Sequence, residues 1–366
     1  MRVTFVLPPV NMSGGIKVIG IYAKALAEKG HDIFIVSPPP PKKSLPSKIK
    51  TFMQGKGWPQ SDAAHSHLDK LGLQHKILDK YRPVTDGDVP EADVVVATWW
   101  ETAEWVAKLG DFKGAKTYFI QGYEIFDFLP IERCKLTYKL PLHKIVVAKW
   151  LADIMRDEYG DHQVDLVPNS VDQNQFFAPV RNKQNLPTIG FLYSHTTLKG
   201  LDVALNVLAK IKKDFPSLRV ISFGSSPFKG HDLWNNQYEF YFSPMQSEIR
   251  NLYDQCDVWL TASRSEGFNL PAMEAMACRT PVVATKTGWP AESIVNGENG
   301  FLTEIDDVNA LVDAVTILLS VENEEWKRYS LNAFKTVESS SWEGSATLFE
   351  KALMNSIKRR QARIKK

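Results

Sequence analysis

Ser265-Glu266-Gly267-Phe268-Asn269-Leu270-Pro271-Ala272-Met273-Glu274-Ala275-Met276-Ala277 sets two carboxylates, Glu266 and Glu274, eight positions apart around the expected start of a helix. Asn269 is a good N-cap, because its side-chain oxygen can accept from an amide of the first turn. Pro271 is tolerated in that turn, where its missing N–H would have no partner anyway. Ala272 to Ala277 are strong helix formers, so the sequence predicts a helix beginning near Leu270. The first amides of such a helix carry the positive end of its macrodipole, which suits a phosphate, and Gly267 lets that phosphate approach the backbone. Glu266 lies in the loop before these amides and Glu274 about one turn inside the helix. Carboxylates at two heights accept from paired hydroxyls, which fits a sugar ring on one side and a ribose on the other. The stretch therefore reads as a nucleotide-sugar site. The competing reading is an ordinary amphipathic helix whose acids face water.

Outward from this stretch, strands alternate with helices, a pattern that argues for parallel sheets flanked by helices in an α/β fold. In a first half, Val3 to Leu7 reads as a strand and Gly15 to Glu28 as a helix with Ile16, Ile19, Ala23, Leu26 and Ala27 toward the core. Ile33 to Val36, Val94 to Ala97, Thr117 to Ile120, Ile145 to Val147 and Asp165 to Val167 read as further strands, and Trp150 to Tyr159 as a helix. Polar residues 172–187, with Pro179 and Pro187, read as a linker. A second half opens at Thr188-Ile189-Gly190-Phe191-Leu192. It continues through helix 200–213, strand Arg219 to Phe223, helix 247–255, strand Val258 to Thr261, the helix at Leu270 and strand Val282 to Ala284. Residues 307–319 and 343–361 also read as helical.

Three motifs occur in order: Glu266-Gly267-Phe268-x-Leu270-Pro271-x-x-Glu274-Ala275-Met276-Ala277, Pro281-Val282-Val283-Ala284-Thr285, and Asn296-Gly297-Glu298-Asn299-Gly300-Phe301-Leu302. They resemble the donor-binding half of retaining glycosyltransferases of family 4. Gly14-Gly15 before a helix ending at Lys29-Gly30-His31, Val167-Pro168-Asn169-Ser170-Val171-Asp172 leading to Phe176, and Lys199-Gly200-Leu201-Asp202 join that resemblance, which covers most of residues 1–342. It is weakest over 37–92. The fold it implies is GT-B, two Rossmann-like parallel-sheet domains facing each other across a cleft. An acceptor-side domain would span 1–171, a linker 172–187 and a donor-binding domain 188–342, with a C-terminal helix, 343–366, crossing back to the first domain.

Composition agrees with a large enzyme. The chain has 366 residues, 44% hydrophobic and 23% charged, enough for two cores. Its longest apolar runs, such as Val94-Val95-Val96-Ala97 and Ile145-Val146-Val147-Ala148, are strand-sized, and the apolar start ending at Pro8 is too short for a signal peptide. Cys134, Cys256 and Cys278 lack CxxC spacing, which argues for free thiols, a reducing cytoplasm and no zinc site. Net charge is +2, yet the last nine residues carry six basic side chains, leaving 38 basic against 42 acidic residues, or −4, for the rest. That tail reads as a solvated helix end or as peripheral contact with an anionic membrane at the inner face. Nucleic-acid binding has no support, since no basic and aromatic module accompanies it. The proline-rich basic stretch from Ser37 to Trp58 reads either as a flexible insertion or as a lipid-facing loop.

Among candidate site residues, Lys199 precedes a helix and is placed to counter the diphosphate as the glycosidic bond breaks. The resemblance implies that Glu274 holds the ribose, Glu266 the sugar hydroxyls, and the amides of Gly267, Phe268, Asn269 and Leu270 the diphosphate, with Gly15 lining the cleft. Catalytic roles fall to Glu266 and Lys199. The sequence departs from the family in two places. The usual Gly-Arg before Lys-Gly is replaced by Tyr193-Ser194-His195, so the missing charge comes from His195, from Arg264 just before the Glu266 loop, or from nowhere; Arg264 is the better choice because a guanidinium keeps its proton, with an ordinary surface residue as its other reading. Gln121 stands where many relatives have a histidine, which is tolerable if the acceptor proton passes to the departing phosphate; Glu124 is the other candidate to assist. Ala97-Thr98-Trp99-Trp100-Glu101-Thr102-Ala103 and Tyr118 to Glu124 resemble a rhamnosyltransferase-like branch, with Trp99 and Trp100 as either a sugar platform or core. Asp86-Gly87-Asp88 matches a metal-binding Asp-x-Asp string but sits in a polar loop, and a site of this fold uses amides and a lysine, so no metal and no cofactor is expected beyond the nucleoside diphosphate sugar. The expected partners are that donor and a sugar or lipid-linked acceptor, as in polysaccharide biosynthesis. A nucleotide-sugar epimerase on the same fold and a non-catalytic donor-binding subunit are the alternatives.

Overall fold

The computed structural model describes residues 1–40, 66–69, 71–228 and 237–364. The chain forms two compact units, one of residues 1–168 with 343–366 and one of residues 169–342. Most of the proline-rich stretch, from 41 to 58, lies outside the described residues, and with it the lipid-facing reading of that loop.

The first unit holds strands β1 (Arg2–Val6), β2 (Asp32–Ser37), β3 (Gln74–Ile77), β4 (Val94–Ala97), β5 (Ala115–Ile120), β6 (His143–Val146) and β7 (Asp165–Leu166). Its helices are α1 (Gly14–Glu28), α2 (Trp100–Lys108), α3 (Ile131–Thr137) and α4 (Lys149–Asp157). The strands line up as β3-β2-β1-β4-β5-β6-β7, every pairing parallel. Parallel strands are covered on both faces, so they are apolar without alternation, and all four residues of β4 are buried. Strand β3, at the edge, carries only Ile77 as an aliphatic residue, which is why periodicity does not announce it. Helix α2 is also absent from the sequence reading, because Trp99-Trp100 after a valine run looks like the end of a strand.

The second unit holds β8 (Thr188–Leu192), α5 (Leu201–Asp214), β9 (Arg219–Gly224), β10 (Tyr238–Phe242), α6 (Gln246–Asp254), β11 (Val258–Thr261) and α7 (Leu270–Ala277). It continues with β12 (Val282–Thr285), α8 (Pro290–Ser293), β13 (Gly300–Thr303), α9 (Val308–Ser320) and α10 (Asn323–Val337). Its sheet runs β10-β9-β8-β11-β12-β13, again all parallel. Ile189, Phe191, Val207, Leu208, Val258, Val283, Leu311 and Leu318 build one core between this sheet and helices α5 and α9. Residues 172–187 contain neither helix nor strand and are pinned to this unit. The buried Asp257 carboxylate accepts from the amides of Gln184 and Thr188, at 2.8 and 2.9 Å, while the Arg181 guanidinium lies 4.5 Å from the centre of the Trp326 ring.

The last helix, α11 (Trp342–Ile364), belongs to the first unit through aromatic packing: Phe349 stacks on Tyr22 at 4.5 Å and meets Phe119 edge-on at 5.0 Å. Such pairs add about 0.5–1.5 kcal/mol each beyond the area they bury. Ser345 donates to the Pro168 carbonyl and Thr117 to Ser356, both well inside hydrogen-bond range at 2.8 and 2.7 Å. Among the described residues no helix is long and apolar enough to cross a membrane.

In the second sheet the chain leaves β8 toward β9 and β10, then returns to place β11 on the other side of β8. The loops after β8 and β11 therefore part in opposite directions, which opens a crevice at the carboxyl ends of these strands. Gly200 closes the first of those loops with φ of 62°, and a Cβ there would stand 1.9 Å from the Ala262 carbonyl oxygen. Gly200→Ala combines a left-handed backbone with a steric clash, and is expected to lower the unfolding free energy by about 2–4 kcal/mol in a denaturant titration; an unchanged midpoint would contradict this packing.

Candidate functional site

Helix α7 begins at Leu270, with Asn269 as its N-cap and Pro271 in its first turn. Asn269 adopts φ of 79°, a left-handed conformation that asparagine tolerates better than most residues. Its Oδ1 accepts from the Ala272 amide at 3.3 Å, and its Nδ2 donates to Thr261 Oγ1 at 2.9 Å, so the cap is tied to the end of β11. The positive end of α7 thus opens at the switch point of the second sheet.

The turn before α5 and the loop after β11 are joined there. The Arg264 and Ser265 amides donate to the Leu198 carbonyl at 2.8 and 3.3 Å. Across this junction the Lys199 ammonium donates to both oxygens of Glu266, at 2.8 and 2.7 Å, and Ser263 Oγ donates to Glu266 Oε1 at 2.7 Å. Lys199 is partly exposed whereas Glu266 is 9% exposed, so the acid is oriented from two sides and the cation stands at the surface of the pair. Gly288 packs beneath: its φ is 60°, and a Cβ would come within 2.8 Å of Glu266 Cβ and of the Phe268 carbonyl oxygen. The Trp289 amide donates to that same carbonyl at 2.8 Å, and its ring stacks on Phe268 at 5.9 Å. Gly267, Phe268 and Asn269 are consequently held in one shape before α7 starts.

Glu274 is buried on α7, and its Oε2 accepts from Tyr253 Oη at 2.9 Å. Burial pushes the Tyr253 phenol well above its ordinary range, and the Glu274 carboxylate adds to the effect, so the phenol stays protonated and serves as a donor. Arg264 is differently placed from a diphosphate clamp. Its two Nη atoms donate to the Asp202 carboxylate at 2.9 and 2.6 Å, and its Nε donates to Asp306 at 2.7 Å. Offering this guanidinium to a diphosphate would mean breaking those contacts. His195, the other substitute for the missing arginine, bonds to the Pro227 carbonyl at 2.9 Å through Nε2. The structure thus brings together Lys199, Glu266, Gly267, Phe268, Asn269 and Leu270, with Glu274 a turn further and Arg264 beside them but engaged. Sequence reasoning missed Ser263, Tyr253 and the Gly288-Trp289 turn that shape this group. A serine two residues past a strand and a Gly-Trp-Pro after the next one were the available signals.

Gly15 belongs to the first unit, in the first turn of α1, where a Cβ would meet the Gln121 carboxamide at 3.5 Å. Strands β1 and β4 form the switch point of that sheet, and Thr98 Oγ1 bridges to the Val6 carbonyl at 3.0 Å. Nearby, Glu124 is buried, with Oε2 accepting from the Trp100 amide at 2.8 Å and Tyr118 Oη at 3.2 Å. Burial raises its pKa to about 8 despite these donors, so the group is largely neutral at pH 7 and faces the interior. Trp100 is a buried residue at the start of α2 with the Arg133 guanidinium over its ring, a core position; Trp99 is half-buried. In Asp86-Gly87-Asp88 the carboxylates are already engaged. Asp88 accepts from two Arg82 nitrogens at 2.5 and 2.8 Å, and Asp86 accepts from the Gly110 amide at 2.9 Å. The Arg82 guanidinium holds the Asp88 carboxyl well below the usual range. The three cysteines are free and buried.

Two Rossmann-like units with wholly parallel sheets, and a helix start at the switch point of the second, define the GT-B glycosyltransferase fold. Residues 172–336, within the second unit, match the family model described as Glycosyl transferases group 1. An uncharacterized glycosyltransferase of Methanocaldococcus jannaschii is 37% identical over 81 residues, 22% of this chain and 22% of that protein. A D-inositol 3-phosphate glycosyltransferase of Corynebacterium jeikeium is 32% identical over 151 residues, 37% of this chain and 35% of the relative. The chain therefore spans between about a fifth and about a third of the length of these relatives. Anabaena Alr3699/HepE, solved in complex with UDP-glucose, aligns with a TM-score of 0.71 at 16% identity, covering 97% of this chain and 100% of that one.

The raised pKa of Glu124 carries a sign. Its folded value of about 8 lies above the ordinary carboxyl value of 4.5, so its contribution to stability is fully present below pH 4.5 and is lost as pH rises through 8. Melting curves across this window should show a decline that Glu124→Gln, which keeps an acceptor oxygen, flattens. An equally steep decline in the variant would contradict the buried neutral carboxyl.

Proposed function

We propose that this chain is a retaining glycosyltransferase that moves a sugar from a nucleoside diphosphate sugar to a hydroxyl of a glycan, lipid-linked or small-molecule acceptor. The observation that carries the reading is the Lys199–Glu266 pair set against the amino end of α7 at the switch point of the second sheet. An ammonium has three donors, and two of them reach Glu266, which leaves the third for a phosphate oxygen. Lys199 and the amides from Gly267 to Leu270 meet the charge that grows on the departing diphosphate, the kind of fixed electrostatic stabilisation that lowers a barrier most. Glu266 accepts from the sugar hydroxyls and Glu274 from the ribose. In this reading the acceptor proton leaves with the departing phosphate on the same face, so no side-chain base is needed at Gln121 and a neutral Glu124 is no obstacle. Support for a nucleotide-sugar donor comes from the group 1 match and from the UDP-glucose held by a protein of the same fold.

A non-catalytic donor-binding subunit is the second reading, and one observation favours it: Arg264 is engaged by Asp202 and Asp306 while the family's arginine is missing. Donor hydrolysis separates the two. The enzyme should slowly release nucleoside diphosphate and free sugar, whereas a binding subunit releases neither, and an epimerase would change the sugar.

Screening UDP, GDP, ADP and dTDP sugars by thermal shift is expected to reveal at least one that raises the melting temperature. Glu274→Gln keeps an acceptor for Tyr253 while removing the charge, and should weaken that donor by on the order of 2 kcal/mol in a binding titration; an unchanged dissociation constant would contradict the ribose role. Lys199→Ala should cut turnover by about 10²- to 10³-fold, a loss read from the release of nucleoside diphosphate.

A further inference from the structure

A second concave site lies within the first unit, at the opposite end of its sheet from Gly15 and Gln121. It is a cavity of about 320 Å³ where the last turns of α11 meet the amino ends of β5 and β6, lined among others by Lys116, His143, Asp161, Arg359, Arg360 and Arg363. That volume is at the lower end of the range for small-molecule pockets. From Ala115 to Ile120, β5 runs about 17 Å, so this cavity is well separated from the carboxyl-end face of the same unit.

Basic side chains outnumber acidic ones in its lining, Lys116, Arg359, Arg360 and Arg363 against Asp111 and Asp161, while the charge of Arg359 also acts on Asp165 beside it. The carboxylates nearby already have partners: Asp161 pairs with Lys144 at 2.5 Å, Asp111 with Lys116 at 3.6 Å, and Asp165 with His143 Nε2 at 2.8 Å. The guanidinium groups are held instead by neutral acceptors. Arg359 donates to His143 Nδ1 and to the Gln163 carbonyl, and Arg360 donates to the Asp111 carbonyl. Arg363 is exposed on the rim one turn further along α11. Cations near the carboxyl end of a helix complement its dipole, which accounts for their sign. It does not account for their convergence on a cavity, or for forks fixed in orientation by neutral hydrogen-bond acceptors. Several such forks match a dianion better than a single carboxylate, because planar guanidinium groups bind phosphate oxygens in pairs.

We propose that this cavity is a second ligand site, for a molecule bearing a phosphomonoester, gripped by Arg359, Arg360 and Arg363. It stands independently of the donor site in the second unit. Two sources share that chemistry, a soluble phosphorylated metabolite and the headgroup of an anionic lipid.

The test uses the full chain with two probes, sn-glycerol 3-phosphate followed by calorimetry and phosphatidylcholine vesicles with or without phosphatidic acid followed by sedimentation. At least one probe should bind, and Arg359→Gln/Arg360→Gln should weaken it about tenfold or more, as the loss of charge-assisted hydrogen bonds requires. Lys351→Gln/Lys358→Gln removes the same charge from exposed positions of α11 outside the cavity and should change binding little. Arg363→Gln alters only an exposed side chain, so a weakening there supports the site even if the double variant folds poorly. Binding of the soluble probe indicates a metabolite, and binding only to phosphatidic acid indicates a lipid headgroup. The proposal is overturned if neither probe binds, if both double variants lose binding equally, or if binding disappears in Lys199→Ala but survives the arginine changes.

Discussion

Parallel strands cannot be joined by tight hairpins and leave no face to water, so each must be followed by a crossover that covers the sheet. Both units obey that constraint, and the sites follow from it. Crossovers leave from the carboxyl ends of strands, and where successive crossovers depart in opposite directions the loops cannot fill the space between them. In the second unit that place lies between β8 and β11. Gly200 and Gly288 are two of the points at which backbone passes too close to its neighbours for any Cβ, and they lie where the Lys199 turn and the Glu266 loop meet.

The ion pair at this contact is arranged for more than stability. A partly exposed lysine bound to a nearly buried carboxylate gains little net free energy from Coulomb attraction once desolvation and side-chain entropy are counted. What it gains is orientation. Ser263 holds one oxygen of Glu266 while Lys199 spans both, and the Gly288-Trp289 turn closes the other side. The amides that precede α7 are fixed by the same turn, so cation, acid and helix start form one rigid group. Arg264 works in the same place as a strut, joining Asp202 at the start of α5 to Asp306.

The first unit uses charge and burial differently. Its carboxyl-end face has a glutamic acid kept neutral by desolvation and by an apolar and aromatic surround, so it behaves as a structural hydrogen-bonding group. Its opposite end gathers arginines on a helix that Phe349 anchors in the core through Tyr22 and Phe119. A helix docked in its first half by aromatic stacking at Phe349 carries its final turns to the amino ends of β5 and β6, which is how residues 359 and 360 come to line that cavity.

Read alone, the sequence determined whatever depends on near neighbours. The start of α7 at Leu270 follows from an asparagine, a proline and a run of small helix formers; the buried strands follow from unbroken valine and isoleucine; the ordered motifs lie in the half that matches the group 1 family model. Edge strand β3 escaped because one open edge relaxes the demand for apolar residues; β10 escaped although four of its five residues are aromatic, and α2 escaped because Trp99-Trp100 after a valine run reads as a strand end. Only the tertiary structure decided which charges meet. Lys199 and Glu266 are 67 residues apart, and His143 and Arg359 are 216 apart. Hydrogen bonds and ion pairs act over a few ångströms, whereas the sequence orders residues along a chain that folding brings back on itself. That is why the sequence, which offers Arg264 as a guanidinium that keeps its proton, does not announce its bonds to Asp202 and Asp306, and why the basic tail acquires a cavity to surround.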